Sequence, residues 1–569
     1  ENRLLPPGQR KPIVEVVFEA SREVRMPILN STLIIIVTFI PLFFLTGMEG
    51  RMLVPLGIAF IVALFASTVV ALTLTPVLCS YLLGKGKTDK DISREPFVAR
   101  TLKKYYGQAL EWALRHRTGV LGGTIALFVA AMITFFTLGR SFLPPFNEGS
   151  FTINVSTLPG ISLEESDNIG RRAEELLLEV PEIQTVARKT GRAELEIGQP
   201  ISHRIDAMLS GTQARIAIKL FGDDLNRMFM LGNQIKKNIS AIDGVVDLNV
   251  EQQIERPQLK ITPRREMLAR YGVSLSEFAE FIDVALAGEV VSQVYEGSRT
   301  FDLTVKVKDD ERSSAAKIGD LMVDTQDGKV PLSYLAEIKS ATGPNTINRE
   351  NVKRKIVISA NVSDRDLRSV VDDIRERIDE TVVLPEGYFI EYGGQFESEA
   401  AASRTLSFVS LFSLLVVFLL LYNQFRSVSQ SAVILLNLPL ALIGGVFILR
   451  FTTGEISIPA IIGFISLFGI ATRNGMLLVS HYNTMLSEGN SLHDTILRGS
   501  LDRLNPILMT ALTSALALIP LALGGDLPGN EIQSPMAKVI LGGLITSTFL
   551  NAFVVPVVYW IMNRKKENR

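Results

Sequence analysis

Apolar residues in this chain gather into long blocks separated by charged stretches. Eight blocks reach the roughly 20 residues that a helix needs to cross a hydrocarbon layer about 30 Å thick. They lie near 29–48, 52–83, 118–139, 405–425, 427–449, 456–486, 505–525 and 539–562. Three precede and five follow the polar stretch 140–404. Pro41, Pro76, Pro439, Gly444, Gly445 and Pro520 recur inside the blocks, as membrane helices tolerate and soluble ones seldom do.

The stretch 140–404 has a different rhythm, in which period-two strand patterns alternate with amphipathic helices. Phe151–Thr157 reads as a strand that Pro159-Gly160 turns. Ser162 followed by Glu165 is a capping box for a helix running to about Glu179, and a strand follows near Ile183–Lys189. A second unit is predicted from strand Ala214–Phe221, helix 223–241, strands 245–251 and 257–262, and helix 274–286. Helix Leu367–Thr381 and strand Tyr388–Tyr392 close the domain. Such β-α-β units build split βαβ, ferredoxin-like domains. Between them, 288–362 reads as a separate β-rich insert. The predicted fold is therefore an α-helical membrane bundle of eight transmembrane helices carrying an α+β extracytoplasmic domain.

Charge sets the orientation. The link 84–117 holds Lys85, Lys87, Lys90, Arg94, Arg100, Lys103, Lys104, Arg115 and Arg117, so the positive-inside rule places it in the cytoplasm. Alternation then puts link 487–504 and tail 563–569 inside, and 140–404 outside. The basic, amphipathic part of the first link, Lys103–Arg117, fits either a helix lying on the inner membrane face or a solvated connector. The formal net charge of −1 over 569 residues gives no basic surface that argues for nucleic acid. The one cysteine, Cys79, excludes an internal disulfide. No secretory leader is read in 1–28, and Glu1-Asn2 reads as a cut inside a longer protein.

Several motifs occur in an order that resembles the resistance-nodulation-division (RND) efflux transporters, and within them the heavy-metal branch. Ala71-Leu-Thr-Leu-Thr-Pro76 resembles the signature of their sixth helix. Leu143-Pro-Pro-Phe-Asn-Glu-Gly149, Ser156-Thr-Leu-Pro-Gly-Ile-Ser162, Gln199-Pro-Ile-Ser-His-Arg-Ile205, Val250-Glu-Gln-Gln253, Arg349-Glu-Asn351 and Gly393-Gly-Gln-Phe-Glu397 resemble pore-domain motifs of that branch. Ile470-Ala-Thr-Arg-Asn-Gly475 and Arg503-Leu-Asn-Pro-Ile-Leu-Met-Thr510 resemble the tenth and eleventh helices. The resemblance spans essentially the whole chain. It implies that 1–28 is the cytoplasmic end of a preceding helix and an amphipathic link, that 140–404 is a periplasmic pore and docking domain, and that 288–362 is the docking insert. It also implies that the acidic proton-relay residues of the fourth helix, and the first two pore subdomains, lie outside this sequence. Arg192-Ala-Glu-Leu195 runs almost directly into Glu196-Ile-Gly-Gln-Pro200, where relatives carry a further strand and helix.

Arg473 is the one charge between Ile456 and Leu486. An arginine at bilayer depth costs a few kcal/mol on insertion scales, about 2.5–3.5 at the helix centre, so it calls for a carboxylate partner or water. The resemblance makes it the fixed basic partner of the fourth-helix acids, in a pairing that protonation breaks. A snorkelling arginine is the plain alternative. Asn474 and Thr510 could extend the polar network, or simply pack helices. His481 and Glu488 fall nearer the cytoplasmic end, where His481 reads as an interfacial side chain.

The cargo is less sharply marked. Copper(I) and silver favour soft sulfur ligands. The positions matching the family's three methionines are Ala207, Val273 and a residue near Gln326, with Met208 one step from the first. Glu194, His203 and Asp206 are candidates for harder ions; each also reads as a surface polar residue. Met228 and Met230 read as helix-packing residues. No P-loop, catalytic triad or resident cofactor is expected, and a metal ion enters as possible transported substrate. The implied protein is not an enzyme. It is a homotrimeric, multi-pass pump of the bacterial inner membrane, bound to a periplasmic adaptor (membrane fusion) protein and an outer-membrane channel. A drug exporter, or a non-transporting assembly fragment, remains an alternative reading.

Overall fold

The computed structural model describes residues 11–84, 96–144, 148–153, 155, 161–190, 197–198, 214–251, 253, 255–297, 299–344, 346–525 and 527–567. Among them, eight helices are long and apolar enough to cross a membrane: 13–44, 50–82, 117–137, 395–425, 428–452, 458–487, 492–523 and 533–564. Each coincides with most of one of the eight apolar blocks read from sequence. Several outrun their block, because a helix continues while its backbone is hydrogen-bonded, whatever its side chains. The first span starts at Ile13 and passes through Pro27 without a break, so 13–28 is part of that helix and not a separate link. The fourth starts at Gln395, directly after strand Phe389–Gly394, ten residues before its apolar block. The fifth is divided at Leu436 into Val428–Leu435 and Asn437–Thr452.

Burial separates central from peripheral spans. The buried share of the most apolar stretch is 72% for Ile458–Ser487 and 61% for both the fifth and eighth spans, against 6% for Arg117–Thr137. Glycines let the central helices touch backbone to backbone. Gly444 and Gly542 face each other so closely that a Cβ on Gly542 would lie 2.6 Å from the Gly444 carbonyl. Small residues at such contacts are how helices associate where no hydrophobic drive separates protein from solvent. The peripheral spans leave Phe65, Ile125, Phe136 and Leu516 more than 60% exposed, an apolar surface that needs lipid or further protein to cover it.

The soluble part is built on one antiparallel sheet. Its order is Phe389–Gly394, Ile216–Phe221, Lys353–Val362, Val245–Val250, with the short strand Arg349–Glu350 paired to the start of Lys353–Val362. Helices Leu225–Ile239 and Leu367–Thr381, capped by Asp224 and Asp366, give the β-α-β-β-α-β order of a split βαβ unit. Ile216, Ile218, Leu220, Ile356 and Ile358 pack in one core with Met228, Ile235, Val370 and Ile374 of the two helices. Met228 thus fills the core, while Met230 is 66% exposed and does not pack as expected.

The insert sits between the second and third strands of this unit, and its limits differ from those expected. Glu255–Pro263 pairs antiparallel with Ala336–Pro344 along the full length of both, so the insert closes at 255–344. Lys353–Val362, expected inside the insert, is the strand that joins the two halves of the main sheet. A β-branched run reads the same in either place; which sheet owns it is decided by pairing partners far away in sequence. Within the insert, Leu268, Phe278, Leu332 and Leu335 form a small core. The hairpin Glu289–Glu296 with Arg299–Val305 projects from it, exposed at every described position.

The first βαβ unit is represented by less. Helix Leu163–Leu178 is capped by Ser162, whose side chain accepts from the Glu165 backbone. Thr152–Ile153 pairs with Ile197–Gly198. The strand expected at 183–189 is absent: these residues are described without regular structure, and no partner strand lies beside them in the described sheets.

Candidate functional site

The helix carrying Arg473 is held on several sides. Gly463 lies against Met536 of the eighth span, Gly469 against Ile35 and Thr38 of the first, and Gly475 against Asn437 of the fifth. These contacts fix the helix so that Asn474 is buried and Arg473 half-buried. Among the described residues the guanidinium makes no hydrogen bond and no ion pair. A cation therefore stands in the most buried span without a counter-charge from any other described helix.

Asn474, the next residue, is 3% exposed. Thr510 makes no hydrogen bond to Arg473 among the described residues: it is exposed, and its hydroxyl donates to the Ile507 carbonyl of its own helix at 2.9 Å. What does meet this part of the helix is Asn437. It is fully buried, and both its Nδ2 and Oδ1 lack partners among the described residues. Sequence reasoning missed it. The available signal was an amide deep in an uncharged block, akin to the signal that marked Arg473.

Polar groups continue toward the basic end of the bundle. Gln430 and Asn483 exchange two hydrogen bonds, at 3.0 and 3.1 Å. The Tyr559 hydroxyl donates to Asn483 Oδ1 at 2.8 Å, and Tyr482 is hydrogen-bonded to Ser500. His481 Nε2 lies 3.7 Å from Asp502, at the helix end where sequence placed it.

The opposite end joins the bundle to the soluble domain. Gly139–Arg140 pairs in parallel with Glu455–Ile456, between the fifth and sixth spans. Asp366, which caps helix Leu367–Thr381, accepts from the Arg140 backbone at 3.5 Å. Burial raises the Glu455 carboxyl above its usual range, against a Ser141 hydrogen bond and the Arg215 charge and with help from Asp366.

The metal candidates Glu194, His203, Asp206 and Met208 lie outside the described residues. Among the described residues no three of His, Cys, Asp and Glu gather closely enough to hold an ion. A cleft between the βαβ unit and the insert is lined by Asp223, Asp224, Gln253 and Arg354; sequence reading singled out none of these as ligands.

The sequence profile of the AcrB/AcrD/AcrF family matches residues 2–196 and 192–563. The chain belongs to this family, the RND efflux transporters. The two matched stretches meet at 192–196, where the sequence motifs run together. Among its relatives, protein HelA of Legionella pneumophila is 32% identical, over 97% of this chain and 57% of its own length. The cobalt-zinc-cadmium resistance protein CzcA of Cupriavidus metallidurans is 32% identical with the same coverage. The nickel and cobalt resistance protein CnrA of that organism is 30% identical, over 100% of this chain and 57% of its own length. A crystal structure of a heavy metal efflux pump superposes with a TM-score of 0.77 at 26% identity, covering 97% of this chain and 60% of that one. The chain thus spans somewhat more than half the length of the RND relatives it matches.

Proposed function

We propose that this chain is the second-half portion of a proton-antiporting RND pump of the bacterial inner membrane, and that the pump exports heavy-metal cations. The observation that carries the coupling half of this reading is Arg473: a guanidinium held in the most buried span, with no counter-charge among the described helices. Arginine stays charged at every relevant pH, so it serves as a fixed electrode. Carboxylates supplied elsewhere in the pump are drawn to it when ionised and released when protonated, and that alternation moves helices. The metal half rests on the likeness to CzcA and CnrA, a cobalt-zinc-cadmium and a nickel and cobalt resistance protein.

Further parts of the reading follow from the same likeness. The basic link 84–117 and tail lie in the cytoplasm, the domain that follows the third span lies in the periplasm, and the pump works as a homotrimer with an adaptor and an outer-membrane channel. The exposed hairpin of the insert supports the trimer. It carries Val290, Val294, Tyr295, Phe301 and Leu303, each 46–72% exposed, and a two-stranded hairpin alone is marginal in water. A neighbouring protomer would cover it.

The test is tolerance. In a host deleted for its own metal and drug pumps, the protein with its native upstream coding sequence is expected to raise tolerance to zinc, cobalt or nickel and to lose that effect when a protonophore collapses the gradient. Tolerance raised only to organic drugs would overturn the metal assignment. Export that survives the protonophore would overturn proton coupling.

A further inference from the structure

At the basic end of the bundle, two arginines share one indole. The Arg117 guanidinium lies 4.5 Å from the centre of the Trp560 ring, and that of Arg564 lies 5.1 Å from it. Arg117 opens the third span, while Trp560 and Arg564 are one turn apart near the end of the eighth. Trp560 is half-buried, its inner edge packed against the apolar cluster around Tyr482 and Tyr559. Arg564 is exposed and Arg117 partly so.

Each guanidinium gains from the negative face of the ring, but two cations gathered on one ring repel each other. Among the described residues no carboxylate pairs with either one. The arrangement is therefore complete as a packing unit and incomplete in charge. What balances it is an anion able to reach both forks at once, and guanidinium forks match the oxygens of phosphate in geometry. The place decides which phosphate. Tryptophan beside arginine at the ends of two membrane helices is the composition of the headgroup level. Trp112 of the adjoining helix Phe97–Arg115 is 60% exposed, and His116, stacked on it, caps that helix just before Arg117, continuing an aromatic, basic strip along the same level.

We propose that Arg117, Arg564 and Trp560 form a headgroup site for an anionic phospholipid of the phosphatidylglycerol or cardiolipin type. The lipid phosphate sits between the two guanidiniums and its acyl chains run along the third and eighth spans. This rests on the membrane orientation proposed above. The site adds a ligand to the Arg117–Trp560 contact that already joins the third span to the eighth, and its occupancy follows lipid composition.

The chain has two tryptophans, so Trp112→Phe leaves Trp560 as its single tryptophan, which is excited selectively over tyrosine at the red edge. The full 569-residue chain carrying that change is reconstituted in phosphatidylethanolamine vesicles containing brominated phosphatidylglycerol, or brominated phosphatidylcholine at the same mole fraction. Quenching of Trp560 is expected to be at least about threefold stronger with the anionic lipid. Arg117→Gln with Arg564→Gln abolishes that preference. Lys565→Gln with Lys566→Gln, which removes the same charge from the tail, preserves it. Equal quenching by both lipids overturns the site while leaving the membrane reading intact. Quenching by neither overturns the membrane reading and the site with it. A preference lost equally in both double variants overturns the site in favour of diffuse surface charge. Inorganic phosphate alone, added in detergent, is expected to leave Trp560 emission unchanged; a saturable shift without any lipid preference would assign the site to free phosphate and overturn the proposal.

Discussion

Arg140 and Glu399 meet where the bundle joins the soluble domain: Arg140 Nη1 lies 3.9 Å from Glu399 Oε1, and the Glu399 side chain is 4% exposed. Ser403 donates to the same oxygen at 2.7 Å, while Oε2 has no hydrogen-bond partner among the described residues. Removing the arginine strands a buried carboxylate. Arg140→Gln is expected to lower stability by about 1–3 kcal/mol, with Glu399→Gln costing clearly less. Thermal unfolding in detergent reads both, and equal effects would show that the pair carries no buried charge.

The same junction should respond to pH through Glu455. Its carboxyl is raised by burial, so the native state binds a proton more readily than the unfolded chain. The contribution is fully present below the unfolded value, near 4.5, and is lost as pH rises through the native value. Asp366 runs the other way. Burial pushes it up, but hydrogen bonds from Ser369 and the Arg140 backbone bring it below its usual range. It stabilises above the unfolded value and loses that contribution as pH falls through the native one. Glu455→Gln is expected to raise Tm relative to the parent at about pH 8 and to match it at about pH 4. A Tm difference that does not grow with pH would contradict this.

Gly394 turns the last strand into the fourth span with φ of +93°, and a Cβ there would sit 2.5 Å from the Arg215 carbonyl oxygen. Gly394→Ala is expected to cost about 1–3 kcal/mol and to loosen the domain from the helix. Limited proteolysis near residue 394 would report it; unchanged cleavage would count against a rigid joint.

Arg473 and Asn437 offer a split between stability and transport. Arg473→Met is expected to reduce metal tolerance to the level of an empty vector while the protein accumulates normally. Asn437→Leu replaces an amide with no partner among the described residues by an apolar side chain, so stability changes by less than about 1 kcal/mol or increases. Transport falls if the amide carries water or a proton beside Arg473. Growth on metal, together with Tm, separates the two outcomes.

Helices and the buried charge were legible in the sequence because both follow from local rules. A bilayer-length apolar block is one kind of signal, and Arg473 stands out within its block for the same reason. The split βαβ elements were legible through alternation and, at Ser162, through a cap that the structure keeps. Ownership of Lys353–Val362 was not, since it is paired with residues 216–221 on one side and 245–250 on the other. Nor was the exposure of Thr510, which depends on how its helix is rotated; composition does not encode rotation. Met230 was misjudged for the same reason, one face of a helix being traded for another.

The insert leaves the main sheet after Val245–Val250 and returns at Lys353–Val362, and those two strands are antiparallel neighbours. In topological terms the whole insert is an overgrown hairpin turn. Closing a longer loop costs only slowly more entropy, so this turn can lengthen, shorten or be exchanged without rethreading a strand. The exposed surface of the insert can therefore be rewritten while the sheet beneath it stays as it is.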